Sequence, residues 1–323
     1  MLNIGITLGD PAGIGPEIVA KSLVDMKDRQ FKVTLFGDKN NFDSMVSRYS
    51  LNFSGINNID FIDTGNGKLI EYGKVSEHAG RVSINSIEMA VEYAMKHKID
   101  ALATAPINKE AIIKAGSKYI DHTSMLRELS ESKFITTLFE VNNLRITFLS
   151  KHVSLLDAVK YVKRDNIYSG IRETYEGMKL LGFDNPKIAV AALNPHGGES
   201  GMFGYEEINE ITPAIERGRD TMNVFGPIPA DSVFHYASLG NYDVVLSLYH
   251  DQGHIAAKTY DFDHTVSMNP GLPFLRTSVD HGTAFDISGK NTGNFISMKE
   301  AILKAEKYAL KYKVNYEKYK SEF

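Results

Sequence analysis

Three of the ten histidines in this 323-residue chain sit just beyond stretches patterned like strands. His152 follows the run Arg145 to Ser150. His196 lies in Leu193-Asn194-Pro195-His196-Gly197-Gly198-Glu199, after Lys187 to Ala192, and His250 closes Leu248-Tyr249-His250-Asp251-Gln252-Gly253. Imidazoles gathered at one edge of a sheet can hold a divalent cation and leave positions open for a substrate. Separations of 44 and 54 residues mean that no local motif makes this claim; a shared position after strands does. Taken singly, each is as readily a hydrogen-bonded or surface histidine. Asp231, in Pro227-Ile228-Pro229-Ala230-Asp231, adds a carboxylate upstream of the strand that ends at His250, its simpler use being a helix cap or turn. Lys258, eight residues after His250, can exchange a proton if partly desolvated, because a lysine pKa falls readily on burial; otherwise it is a surface lysine.

The densest polar segment runs from Gly271 to Asn291. It packs cations, hydroxyls and glycines too irregularly for one helix or strand, and such a loop can wrap a polar ligand with backbone N–H groups. Arg276 within it can fork onto a carboxylate or phosphate. Two further turns follow strand-like runs. Gly9 to Gly15 resembles a phosphate cradle but has Ile18 where a full G-x-G-x-x-G would end, and Thr104 to Lys109 offers a hydroxyl, an amide and a cation.

The elements that must position these residues alternate. Strand-like runs are read at Leu2 to Leu8, Lys32 to Gly37, Ala101 to Ala105, Arg145 to Leu149, Lys187 to Ala192 and Val244 to Leu248. Helical patterns lie between them, from Pro16 to Leu23, Asn41 to Tyr49, Val82 to Lys98, Leu155 to Val162, Ile167 to Leu181 and Tyr205 to Arg217, with a last one over Ser297 to Phe323. Gly65 to Ala79 reads as a surface loop. This alternation predicts an α/β protein with a mostly parallel sheet covered on both faces. The length suits roughly two domains.

Composition removes several classes of chemistry. With no cysteine there is no disulfide, iron–sulfur cluster, thiolate zinc site or cysteine nucleophile, so any metal needs histidine and carboxylate ligands. Lys plus Arg is 36 against 40 for Asp plus Glu, a net charge of -4, which argues against nucleic acid or an acidic membrane as partner. The N-terminal residues carry no basic leader before Lys21, and no apolar run approaches the roughly 18 residues of a membrane span, so the chain is expected in the cytoplasm.

The runs GDPAGIGPE, TAPINK, DHTSML, LNPHGGE, GPIPADS, YHDQG and GLPFLRTSVDHGTAFDISGK, in unbroken order from Gly5 to Lys290, closely resemble the 4-hydroxythreonine-4-phosphate dehydrogenase family of vitamin B6 biosynthesis. The resemblance implies the two-domain isocitrate/isopropylmalate dehydrogenase-like fold. Residues 1–134 with 292–323 would form one domain and 135–291 a second that carries the metal ligands and an NAD-binding loop, with the active site in the cleft between them. It puts His152, His196 and His250 on three divalent-metal ligands, zinc first and magnesium or cobalt as alternatives. Substrate contacts fall on His122, Thr123, Lys258, Ser267 and Arg276, and a carboxylate near metal and substrate on Asp231. Asp280, His281, Gly282, Thr283, Asp286, Gly289, Lys290 and Asn291 fall on the loop that binds NAD, or NADP. Family members are homodimers with the active site at the subunit interface, one metal histidine coming from the partner chain.

The reaction so implied is oxidation of 4-phosphooxy-L-threonine at C3, followed by decarboxylation to 3-amino-2-oxopropyl phosphate, with Lys258 or Asp231 taking the hydroxyl proton. Two departures bear on the substrate. Ser267 stands where many members carry Asn, and Gly201-Met202-Phe203-Gly204 replaces a common Gly-His-Met-Gly. The second variation resembles paralogues that oxidise 4-phospho-D-threonate or 4-phospho-D-erythronate in sugar-acid breakdown.

Overall fold

The computed structural model describes residues 1–53 and 55–321. They form two units, Met1–Lys133 with Leu272–Phe323, and Phe134–Gly271. The first leg of the first unit runs β1 (Asn3–Thr7), α1 (Gly15–Asp25), β2 (Lys32–Gly37), α2 (Lys39–Arg48), β3 (Ile59–Asp63), α3 (Glu77–Met95), β4 (Ala101–Thr104), α4 (Lys109–Lys114) and α5 (His122–Leu129). The second unit holds β5 (Leu138–Val141), β6 (Leu144–Phe148), α6 (Leu155–Tyr161), α7 (Arg164–Leu180), β7 (Ile188–Ala191), α8 (Thr212–Arg219), β8 (Val224–Ile228), α9 (Ala230–Ser238), β9 (Val244–Ser247), α10 (His250–Tyr260) and β10 (Val266–Met268). The chain then returns to the first unit with β11 (Leu275–Val279) and α11 (Ile296–Tyr319). The helix expected over 297–323 is α11; its last two residues lie outside the described ones.

In the first unit the strands lie in the order β3-β2-β1-β4-β11, all parallel. Chain direction therefore reverses its march across the sheet at β1 and β4, and the loops after these two strands flank the place where ligands bind in open α/β sheets. The strands read as apolar runs because both faces are covered: Ile4, Ile6, Val33, Leu35, Ala101, Leu102 and Leu275 are buried. Helix starts are set by side-chain caps, Asp38 accepting from Asn41 N–H, Ser76 from Ala79, Asn108 from Ala111 and Asp121 from Ser124. The Ser76 cap is what brings α3 forward to Glu77, five residues before the expected start at Val82. Pro16 and Glu17 occupy the first turn of α1, as their types predict.

The strands of the second unit lie in the order β10-β5-β6-β9-β7-β8. Strands β6, β9, β7 and β8 are parallel, while β5 runs antiparallel to both β10 and β6. A two-residue turn joins β5 to β6, with Asn142 at φ 51°, a backbone state that asparagine tolerates. Tyr205 to Arg217, expected as one helix, is helical from its second residue without a break into α8, opening in a wide turn at Glu207–Ile211, with Pro213 in the first turn of α8. Among the described residues no helix is long and apolar enough to cross a membrane.

The division between the units corrects the expected one at its second boundary. The return falls at Leu272 instead of at residue 292, because β11 pairs in parallel register with β4 and Tyr312 of α11 donates its hydroxyl to the Leu272 carbonyl (2.7 Å). The loop 280–291 therefore belongs to the first unit and not to the unit of the three histidines.

Candidate active site

Arg276, the second residue of β11, is buried, and burial pulls its guanidinium down to about 10 against the opposing influence of the Asp121 carboxylate. Its Nε and Nη2 both donate to Thr104 Oγ1 on the adjacent β4, at 3.0 and 2.8 Å. Next to this cation is His122, the first residue of α5, positioned by the Asp121 cap. Its Nε2 is buried without a hydrogen-bond partner. Burial first, and the Arg276 charge second, hold His122 well below the usual histidine range, so the ring is neutral at pH 7. A buried guanidinium beside a neutral imidazole with a spare ring nitrogen is a site for an anionic, hydrogen-bonding ligand. Thr123, the next helical residue, lines a shallow surface pocket with Ser124 and Arg127.

The glycine turn after β1 and the loop after β4 are locked together. Asp10 N–H donates to the Pro106 carbonyl (3.0 Å), and a Cβ at Gly9 would stand 2.2 Å from that oxygen. Only glycine fits there. The fully buried Asp10 carboxylate accepts from Ala12 N–H at 2.8 Å and from the Asn108 backbone, yet desolvation still raises it to about 6. The loop 280–291 folds onto the same turn: Ile14 N–H donates to the Thr283 carbonyl (3.0 Å) and Ser288 Oγ to that of Ala12 (2.7 Å). Gly289, at φ 82°, packs against the Tyr72 ring, and Lys21 Nζ donates to the Asn291 carbonyl (3.1 Å). His281 Nδ1 lies 3.0 Å from the Gly282 carbonyl, and Asp280 precedes it at the end of β11. Gly282, Asp286, Lys290 and Asn291 remain exposed on this pinned loop, a set that fits the polar edges of a dinucleotide.

In the second unit the three histidines follow the carboxyl ends of three neighbouring parallel strands: His152 after β6, His250 after β9 and His196 after β7. The rings of His152 and His250 lie 6.0 Å apart between centroids. His250 Nδ1 is 2.7 Å from Asp251 Oδ1, an arrangement that fixes the ring and leaves Nε2 for a ligand. His196 is exposed on its own loop, and among the described residues no three His, Asp or Glu gather closely enough within the chain to hold a metal ion. The donor chemistry fits a divalent cation, with one chain presenting a pair of adjacent imidazoles and a third carried separately.

Asp231 stands exposed in the first turn of α9, beyond β8; the cap position is Pro229, so capping is not its use. Lys258 lies in the last turn of α10, its Nζ 5.4 Å over the Phe262 ring. Ser267 pairs with Phe139 across β10 and β5. Three residues that sequence reasoning passed over belong to these sites. Thr104 was seen only as one hydroxyl of a strand end. His254 stacks on His250 with centroids 3.7 Å apart and planes at 11°, and packs against Phe139 and Phe148. Burial, then the nearby His250 and Lys258 charges, bring it down to about 4. Its signal was present: two histidines four apart on one helix face. Glu207 left no signal beyond its type.

The first unit thus carries a buried guanidinium beside a neutral imidazole, and the second carries histidines at the ends of parallel strands, on an α/β architecture. The family model described as "Pyridoxal phosphate biosynthetic protein PdxA" matches residues 15–305, and the chain belongs to that family. A protein of Cutibacterium acnes, provisionally named a D-threonate 4-phosphate dehydrogenase, is 46% identical over 95% of this chain and 93% of its own length. One of the same provisional name from Fusobacterium nucleatum is 45% identical over 96% of this chain and 98% of its own. Among solved structures, the 4-hydroxythreonine-4-phosphate dehydrogenase of Klebsiella pneumoniae superposes with a TM-score of 0.86 at 34% identity, covering 96% of this chain and 100% of that one. The chain is thus an oxidoreductase of a dehydrogenase family with the α/β, mostly parallel architecture that its sequence predicts.

Proposed function

We propose that this protein is an NAD-dependent, divalent-metal-assisted dehydrogenase that oxidises D-threonate 4-phosphate at C3 and releases CO2 from the resulting β-keto acid. The observation that carries the reaction class is the placement of His152, His196 and His250 at the ends of three adjacent parallel strands. The choice of an acid with a C2 hydroxyl rests on Ser267, on Met202-Phe203, and on relatives at 44 to 46% identity that carry the threonate name. The amino substrate 4-phosphooxy-L-threonine is the second reading, favoured by the structural likeness to enzymes named for it.

When bound, NAD supplies the hydride acceptor, and the cation a Lewis acid that lowers the hydroxyl pKa and steadies charge as CO2 leaves. Loop 280–291 would hold the dinucleotide, NAD before NADP. The three histidines would hold the cation, zinc before magnesium or cobalt. Arg276 and Thr123 would hold the anionic groups of the substrate, and His122, kept neutral, would donate or accept through Nε2 without adding charge. Lys258 takes the C3 hydroxyl proton as the hydride departs, and Asp231 is the alternative acceptor. Ser267 would bond the C2 hydroxyl.

The working form is a cytoplasmic homodimer. Beside each histidine stand exposed apolar side chains: Val153, Leu155 and Leu156 after His152, Met202 and Phe203 after His196, and Ile255 on α10 with His250. Leu156 is 66% and Met202 77% exposed, a surface suited to cover by a second copy. NADH release with zinc-loaded protein, measured with D-threonate 4-phosphate and 4-phosphooxy-L-threonine side by side, tests the substrate. Turnover of the first alone is expected, and turnover of the second alone would move the enzyme to vitamin B6 synthesis.

A further inference from the structure

A loop bent throughout into left-handed backbone needs something to hold it. From His196 to Ser200 the φ angles are 51, 71, 82, 44 and 56°. Gly197 and Gly198 adopt this region freely, but His196, Glu199 and Ser200 meet the steric penalty of a Cβ there. Such strain persists only where the surroundings over-determine the conformation.

The surroundings converge on one carboxylate. Glu207, 3% exposed, opens the wide turn Glu207–Ile211 and reaches back to the residues before Pro195. Its Oε1 accepts the backbone N–H groups of Leu193 (2.8 Å) and Asn194 (2.7 Å), and its Oε2 accepts from Asn194 Nδ2 (2.8 Å). The same Nδ2 donates to Glu206 Oε2 (2.7 Å). A Cβ at Gly198 would lie 2.9 Å from Glu207 Oε2, so the carboxylate also fills the space inside the bend. Bonds to an ionised acceptor are the stronger kind, and here three of them fasten the strand end from which His196 departs.

We propose that Glu207 is a positioning residue for His196: its buried carboxylate fixes the left-handed loop and thereby presents the imidazole at the carboxyl end of β7. This rests on the reading of His196 as a metal donor. Calorimetric titration of Zn2+ into the metal-free full-length protein tests it, comparing wild type with His196→Ala, Glu207→Leu and Glu207→Gln, each checked for unchanged circular dichroism. Loss of His196 is expected to weaken zinc binding by more than tenfold, and Glu207→Leu by about tenfold, the scale typical of groups that orient a ligand. Glu207→Gln keeps an acceptor for the two backbone N–H groups and should lose only about threefold, a partial rescue that bulk loss of stability would not give. If both Glu207 variants bind zinc as wild type does while His196→Ala is weakened, the proposal is overturned and the metal reading stands. If His196→Ala itself binds as wild type, the metal reading of His196 fails and the proposal falls with it. Should Glu207→Leu not fold, the glutamine variant decides alone, by a threefold loss or none.

Discussion

At the scale of single residues, burial decides what each polar group can do. Arg276 donates from both Nε and Nη2 to Thr104 Oγ1, a planar geometry that lysine does not reproduce. Arg276→Lys should therefore lower kcat/KM by about a hundredfold, mainly through KM, as steady-state rates with the phosphorylated substrate will show. Asp10 makes the opposite kind of prediction, about pH. Its carboxyl, raised to about 6, binds a proton more tightly in the folded chain than in the unfolded one, so its contribution to stability falls as pH rises from 4 to 6. Comparing urea unfolding of wild type and Asp10→Asn at pH 4 and pH 7 should shift the difference by up to about 3 kcal/mol in favour of the variant at the higher pH. A pH-independent difference would contradict the raised value. The histidines, Arg276 and the glycine turn were legible from type and position. The role of Thr104 was not, because its partner is far away in sequence, a residue 172 positions on; Glu207 acts through Leu193 and Asn194, a pairing its type does not announce.

At the scale of elements, alternation of strand and helix carried most of the first unit, since capped helices and fully buried parallel strands leave clear patterns. β3, β5, β8, β10 and β11 were missed. Of these, β10 has only three residues, and β8 contains Gly226 and Pro227, types that read equally well as loop. The helix from Val82 was right in type but late in its start, because the Ser76 cap lies inside a stretch otherwise typical of a loop. Helix α3 approaches α4 closely: a Cβ at Gly80 would lie 2.0 Å from the Ala111 carbonyl oxygen. Gly80→Ala must force these helices apart and should cost about 3 kcal/mol despite the better helix propensity of alanine. Urea unfolding measures this, and an unchanged midpoint would contradict the close approach.

At the scale of the whole molecule, two α/β units were legible from length and periodicity, but the boundary at Leu272 was not. That boundary depends on β11 finding β4, a pairing across 174 residues at Ser278 and Thr104 that no local pattern announces. Exposed apolar side chains beside the histidines predict assembly. Leu156→Glu places a charge in that face and should turn a dimer into a monomer in light scattering coupled to size exclusion, with zinc affinity falling alongside; a persistent dimer would place the interface elsewhere. The account as a whole is tested most directly by the products formed from D-threonate 4-phosphate, NAD and zinc-loaded protein. Oxidation at C3 followed by loss of the carboxyl group predicts NADH and CO2 in equal amounts together with dihydroxyacetone phosphate. Absence of NADH, or NADH without CO2, would contradict it.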